Sequence, residues 1–257
     1  VPIVARKLAY AYPGRPRVLD GIDASFERGR VSAVLGPNGG GKSTLLRLLC
    51  GLAVPAAGVV TIGGTDVAGL TARERAARVV YIPQESRCAF SFSVEQVAGF
   101  GAFGSDRDRR GLAGTALERV GLLDRAREPA MHLSAGQRQL LALARALVQL
   151  EASGQGAMLL AADEPVAAMD PRHAELACGI LREVAARGVA VVMVLHDLAA
   201  AMRHTDDAIL ITGDGRAHAS GVTAEIVTPE ALAGVFALSF EVLRDGAGRP
   251  AAVVPRG

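Results

Sequence analysis

Three short runs are apolar almost throughout: VSAVL (Val31–Leu35), MLLAADEP (Met158–Pro165) and VAVVMVLHD (Val189–Asp197). Runs of this length and texture read as strands buried on both faces. Helical spacing follows each of them. LLRLLCGL (Leu45–Leu52) comes after the first, PRHAELACGILREVAARG (Pro171–Gly188) after the second and LAAAMRHT (Leu198–Thr205) after the third. The middle helix has proline in its first turn and glycine past its end. Strands alternating with helices predict a mainly parallel α/β core. Ahead of it, Val4–Tyr12 and Val18–Phe26 read as strands joined by the turn Pro13–Pro16. Gly58–Gly64 is a short strand with a turn, Thr71–Ala77 a helix capped by Thr71, and Val79–Gln84 a strand.

From Glu85 to Leu150 the strand pattern disappears. Helical segments such as VEQVAG, TALERVG and QRQLLALARALVQL are separated by glycine-rich or charged loops, which predicts an inserted helical subdomain. The expected division is a core of 1–84 and 157–257 with a helical subdomain over 85–156. Glu151–Gly156 reads as a loop, and Arg107–Arg110 as a solvated loop of the helical part. Asp207–Arg216 is a strand with a hairpin turn, and Pro229–Phe236 a helix among short strands.

Composition narrows the class. Half the residues are apolar, as a globular chain requires, and the net charge of +2 exerts little pull on nucleic acid or anionic lipid. Cys50, Cys88 and Cys178 form neither a metal spacing nor a disulfide framework, which suits a reduced, cytosolic compartment. No apolar run approaches the ~18 residues of a membrane span, and the N-terminus lacks the apolar centre of a signal peptide.

The chemistry centres on GPNGGGKST: Gly36, Pro37, Asn38, Gly39, Gly40, Gly41, Lys42, Ser43 and Thr44. It fits the phosphate-loop spacing, with a strand before it and a helix after it. Its N–H groups and the helix N-terminus favour an anion. Lys42 is expected at the β- and γ-phosphates and Ser43 on Mg2+. Only Lys7 and Lys42 are lysines in an arginine-rich chain, so the ammonium here reads as a requirement of the loop.

Asp163 and Glu164 end an apolar strand. Carboxylates there are costly unless something ligands them. With a phosphate loop upstream, Asp163 is expected to hold the metal and Glu164 to polarise water, although a solvated acidic turn has the same sequence. Ser134 and Gln137 have capping-box spacing before a long helix, either as an ordinary cap or as a second anion site.

Taken together, these motifs resemble the ATP-binding cassette (ABC) ATPases over nearly the whole chain. GPNGGGKST matches Walker A, LLAADE Walker B with its glutamate, and LSAGQ (Leu133–Gln137) the signature LSGGQ. Gln84 matches the Q-loop, Asp170 in AAMD the D-loop, His196 the switch histidine and Tyr12 the adenine-stacking aromatic, with Val18 beside it. The resemblance implies a RecA-like P-loop NTPase core with an antiparallel β subdomain and an inserted helical subdomain. It further implies that Ser43, Gln84 and Asp163 arrange Mg2+, that Glu164 activates water and that His196 contacts the γ-phosphate. Ser134, Ala135, Gly136 and Gln137 would face the ATP of a second copy in a head-to-tail dimer, with Asp170 at that interface.

Departures are Ala135 for the signature's first glycine, Ala161 and Ala162 where Walker B has large aliphatics, and Met169 for the D-loop leucine. Alanine suits position 135 if its backbone is helical, and the Walker B alanines imply looser local packing. A lone cassette is similar to the ATPase subunits of bacterial importers, those for iron–siderophore, haem and cobalamin above all. Such a subunit works at the cytoplasmic face of the inner membrane with two permease subunits, indirectly a substrate-binding protein, and no nucleic acid. Phe90, Phe92, Phe100 and Phe103, within the expected docking region Gln84–Gly104, form either a groove for a partner helix or the subdomain's own core. A regulatory cassette that scarcely hydrolyses ATP and a nucleic-acid-linked ATPase are the alternatives. His132, His173, His204 and His218 match no motif and are expected to face solvent.

Overall fold

The computed structural model describes residues 2–84, 91–102, 104, 108–244, 246 and 250–256. The N-terminal part pairs β1 (Ile3–Ala11) with β2 (Arg17–Phe26) and then continues into β3 (Val31–Leu35) and α1 (Lys42–Leu49). Next come β4 (Ala57–Ile62), β5 (Thr65–Asp66), α2 (Ala72–Arg78) and β6 (Val79–Ile82). Helices α3 (Val94–Gly99), α4 (Arg109–Arg119) and α5 (Ala135–Ser153) pack on one another. The chain returns through β7 (Leu159–Asp163), α6 (Pro171–Ala186), β8 (Ala190–Val194), α7 (Leu198–His204), β9 (Asp207–Ile211) and β10 (Ala217–Val222). It closes with α8 (Thr223–Ile226), α9 (Pro229–Phe236) and a hairpin of β11 (Phe240–Arg244) and β12 (Pro250–Pro255).

Two sheets result. A four-stranded antiparallel sheet runs β2-β1-β4-β5, and a six-stranded sheet runs β10-β9-β3-β8-β7-β6. The second is parallel except for its β9–β10 hairpin. Its apolar strands divide by period 2 between two cores. Leu159, Ala161, Val192 and Val194 face one core, and Leu160, Ala162, Val191 and Met193 the other. The first core lies between the two sheets and holds α1, whose Leu45, Leu46, Leu48 and Leu49 are fully buried. A helix apolar on so much of its circumference has no stable place at a surface. The other core is covered by α3 to α6 and the C-terminal helices.

Several expectations need correction. Glu151–Ser153 is the last turn of α5, followed by a 3-10 turn over Gly154–Gly156, instead of a loop. Glu151 pairs with Arg187 at the end of α6, and the Ser153 hydroxyl donates to the Gln149 carbonyl at 2.8 Å, which carries the helix further. Arg109 and Arg110 open α4 behind an Asp108 cap, while Arg107 lies outside the described residues. His204 is not solvent-facing: its side chain is 12% exposed and bonds to Glu175 at 3.2 Å. His173, by contrast, keeps 44% of its side chain exposed while it pairs with Asp170. Ala161 and Ala162 are both fully buried, with Tyr81 and Ile82 of β6 as their register partners on one side and Val192 and Met193 of β8 on the other. Phe92 and Phe100 meet edge to face at 5.1 Å; Phe90, Phe103 and Cys88 lie outside the described residues.

Leu46→Ala would remove a fully buried side chain from the core between the sheets. A loss of about 2–5 kcal/mol is expected in urea titration, because the sheets above and below cannot collapse onto the gap.

Candidate functional site: a phosphate loop facing two carboxylates

The β3–α1 connection carries the phosphate loop. Gly36 has φ +154°, and a Cβ there would lie 2.2 Å from the Ile211 carbonyl oxygen. Gly41, the N-cap of α1, has φ +88°, with Leu19 and the Val18 carbonyl where a Cβ would go. Only glycine fits both positions. Lys42 is buried, and its Nζ donates to the carbonyls of Gly36 and Pro37, each at 2.9 Å. An ammonium has three N–H groups, so one is left for an anion in the cleft. Burial pushes its pKa below the usual lysine value, against the pull of Glu164 and Asp163.

Asp163 ends β7 and is 3% exposed. Ser43 Oγ donates to its Oδ1 at 3.0 Å. Burial raises the Asp163 pKa, and the Ser43 hydrogen bond opposes that rise. Tyr81, on β6, is pushed up to about 12, first by burial and then by the Asp163 charge. A hydroxyl and a carboxylate converging at the mouth of a phosphate loop are hard oxygen donors, the set Mg2+ takes when it also keeps water and phosphate oxygens. The residues present therefore fit that ion.

Glu164 follows in a left-handed backbone, φ +51°, which is rare for a side chain of this kind. Its Oε1 lies 2.6 Å from His196 Nε2, at the end of β8. Tyr12, Val18, Lys42, Ser43, Gln84, Glu164 and His196 all line one cleft of about 690 Å³, together with Asn38, Gly39, Gly41 and Thr44 of the loop. Arg15 lines it too, and nothing in its sequence surroundings marks it. The Tyr12 hydroxyl is 3.2 Å from Thr44 Oγ1, and its ring meets Tyr10 edge-on at 5.0 Å.

The signature residues lie apart from this cleft, at the N-terminus of α5. Ser134 Oγ accepts from the Gln137 N–H at 3.2 Å, and Gln137 Oε1 accepts from the Ser134 N–H at 3.0 Å, so the capping box predicted from spacing is present. Ala135 is the first helical residue, a place that suits alanine. Gly136 is packed so closely that a Cβ would lie 2.8 Å from the Ala168 carbonyl oxygen. Arg125, missed in the sequence, donates to Gln137 Oε1 at 2.6 Å and is held by Glu128. Asp170 caps α6, and its carboxyl is kept below the usual range first by the His173 N–H and then by the His173 ring.

A phosphate loop and a glutamate–histidine pair in one cleft, with Asp163 bonded to the loop's Ser43, define a nucleotide-binding protein of the phosphate-loop class. The family model described as ABC transporter matches residues 19–167, and the chain belongs to that family. It is 41% identical over 233 residues to the hemin import ATP-binding protein HmuV of Pseudomonas entomophila, covering 89% of this chain and 90% of that protein. It is 36% identical to the cobalamin import ATP-binding protein BtuD of Halobacterium salinarum, over 93% of this chain and 60% of that protein. Among solved structures, an inward-facing putative metal-chelate type ABC transporter shares the fold with a TM-score of 0.81 at 24% identity, covering 100% of this chain and 98% of that one. A bacterial ABC transporter cassette solved as a dimer matches with a TM-score of 0.76 at 24% identity, over 86% and 98%.

Gly41→Ala would force a side chain into the left-handed region and against Leu19. A stability loss of at least about 1–2 kcal/mol is expected in denaturant titration, with weaker triphosphate affinity by calorimetry.

Proposed function

We propose that the chain is the ATP-hydrolysing subunit of an importer for a metal-chelate cargo of the haem, iron–siderophore or cobalamin kind. The observation that carries this is the 2.6 Å pair of Glu164 and His196 in the same cleft as Lys42 and Ser43. The names of the relatives support the cargo group.

Tyr12 and Val18 border the base, and Gly36–Thr44 hold the triphosphate. Ser43, Asp163 and Gln84 would hold a Mg2+, which when bound would supply positive charge to offset that of the triphosphate. Glu164 accepts a proton from a water whose oxygen attacks the γ-phosphorus, while the bond to the β-phosphate oxygen breaks and ADP keeps that electron pair. His196, bonded to Glu164, is placed to orient the carboxylate and to contact the γ-phosphate. In this reading residues 85–156 form a helical arm between core segments 1–84 and 157–257. The arm presents Ser134, Ala135, Gly136 and Gln137 to the ATP of a second copy, with Asp170 at the interface. ATP closes this dimer only by binding the closed state more tightly than the open one.

A groove of about 870 Å³ between α2, α5 and the Phe100–Ala102 turn supports docking of a permease helix. Its floor is small, with Ala72, Ala76, Gly101 and Ala152, and Phe100 forms a wall that is 40% exposed. Small residues admit a helix backbone closely, and the aromatic gives it an apolar contact. The cassette then sits peripherally on the cytoplasmic face of the inner membrane through its permeases. Among the described residues no helix is long and apolar enough to cross a membrane. The helical backbone at Ala135 removes the sequence ground for a cassette that scarcely hydrolyses ATP.

Two experiments follow. Glu164→Gln should lower turnover by roughly 10²–10⁴ while ATP still binds and a dimer accumulates by size exclusion; hydrolysis at the wild-type rate would sink the base assignment. Ala76→Arg should fill the groove, leaving the melting temperature and basal hydrolysis unchanged but abolishing co-purification with the permeases. Retained co-purification would place docking elsewhere.

A further inference from the structure

Gln139 lies one turn into α5, half-buried, and its side chain reaches away from its own helix. Its Nε2 donates to the Glu164 carbonyl at 3.1 Å, and its Oε1 accepts from the Ala168 N–H at 3.1 Å. A carbonyl can only accept and a backbone N–H can only donate, so both partners demand the same amide orientation. The two bonds span the turn after β7, within which the Ala167 N–H also returns to the Glu164 carbonyl at 3.3 Å. Gly136, on the same helix, packs so near this turn that a Cβ there would lie 2.8 Å from the Ala168 carbonyl oxygen. Two points of the signature helix therefore grip the turn that begins with Glu164.

The grip matters because Glu164 is in the left-handed region. That conformation is disfavoured for a residue with a Cβ and persists only where neighbours hold it. Released, the backbone relaxes towards the extended region, the Cα–Cβ direction turns, and the carboxylate leaves His196.

We propose that Gln139 is a positioning residue for hydrolysis, fixing the backbone of Glu164 through its paired hydrogen bonds and so tying the signature helix to the glutamate of the same chain. The proposal rests on the reading of Glu164 as general base. It gives α5 two duties. Its first turn faces the partner's nucleotide and its second turn sets the base for its own, so a shift of the helix on closure reaches both sites.

Gln139→Met keeps length and helix propensity and deletes both bonds. In the full chain with Mg-ATP, kcat should fall roughly 10–100-fold, with KM and ATP affinity within about twofold. In single-turnover assays run over hours, Gln139→Met should add no further loss to Glu164→Gln, since the base it positions is already gone. Should methionine fail to fold there, Gln139→Ala is read in the same way. Wild-type kcat, a rise in KM alone, or an equal added loss in the Glu164→Gln background would overturn the proposal. Wild-type hydrolysis by Glu164→Gln itself would instead remove the underlying reading, so the two failures are distinguishable.

Discussion

Much of the molecule follows from the burial of α1. Leu45, Leu46, Leu48 and Leu49 point into the space between an antiparallel and a mainly parallel sheet. The facing sides of both sheets lose their cover without that helix, whose only exposed residue is Arg47. Its N-terminus is thereby held at the end of β3, where the loop of Gly36–Thr44 must close within a few residues. The N–H groups of that loop and the positive end of the helix then face the cleft. Ser43 Oγ reaches Asp163 at 3.0 Å because β7 lies one strand beyond β8 in the same sheet. The hydrophobic effect, acting on four leucines, thus sets the distance between a phosphate loop and a carboxylate.

The site also concentrates cost. Asp163 and Lys42 are buried charges, and burial shifts each towards its neutral form. Glu164 occupies a backbone region that carbon-bearing side chains avoid. Stability elsewhere offsets these terms, chiefly through strands whose two faces are both covered. An ATP–Mg2+ complex suits the arrangement, since phosphate charge and a cation satisfy groups that the protein leaves only partly compensated.

The helical arm divides its work between neighbours. Ser134 and Gln137 satisfy the first N–H groups of α5, so the helix begins sharply and presents its N-terminal turn outward. Arg125 ties that cap to the 3-10 turn before it. Gly136 and Gln139 face the other way, onto the 164–168 turn. Small residues on α2 and α5 leave a groove on a separate side. The cap, the grip on the turn after β7 and the groove thus occupy three different parts of the same helix and its neighbours.

The phosphate loop was legible because its chemistry is local: glycine, lysine and serine act within nine residues of one another. The alternation of apolar strands and helices was legible for the same reason, since period 2 and helical spacing need only neighbours. The Ser134–Gln137 cap is a three-residue relation and could be read from spacing. The grip of Gln139 on Glu164 spans 25 residues and depends on how α5 crosses the end of β7. A glutamine on a helix has no pattern of its own, so nothing in the sequence marks it. The last turn of α5 was misread as a loop because Glu151 finds Arg187 only after α6 has folded back. His204 gained a partner the same way, from Glu175 one helix earlier. Sequence determined which segments become strands, helices and loop, because those preferences are short-range. Tertiary structure decided which polar side chains meet, because hydrogen bonds between distant residues exist only once packing has brought the elements together.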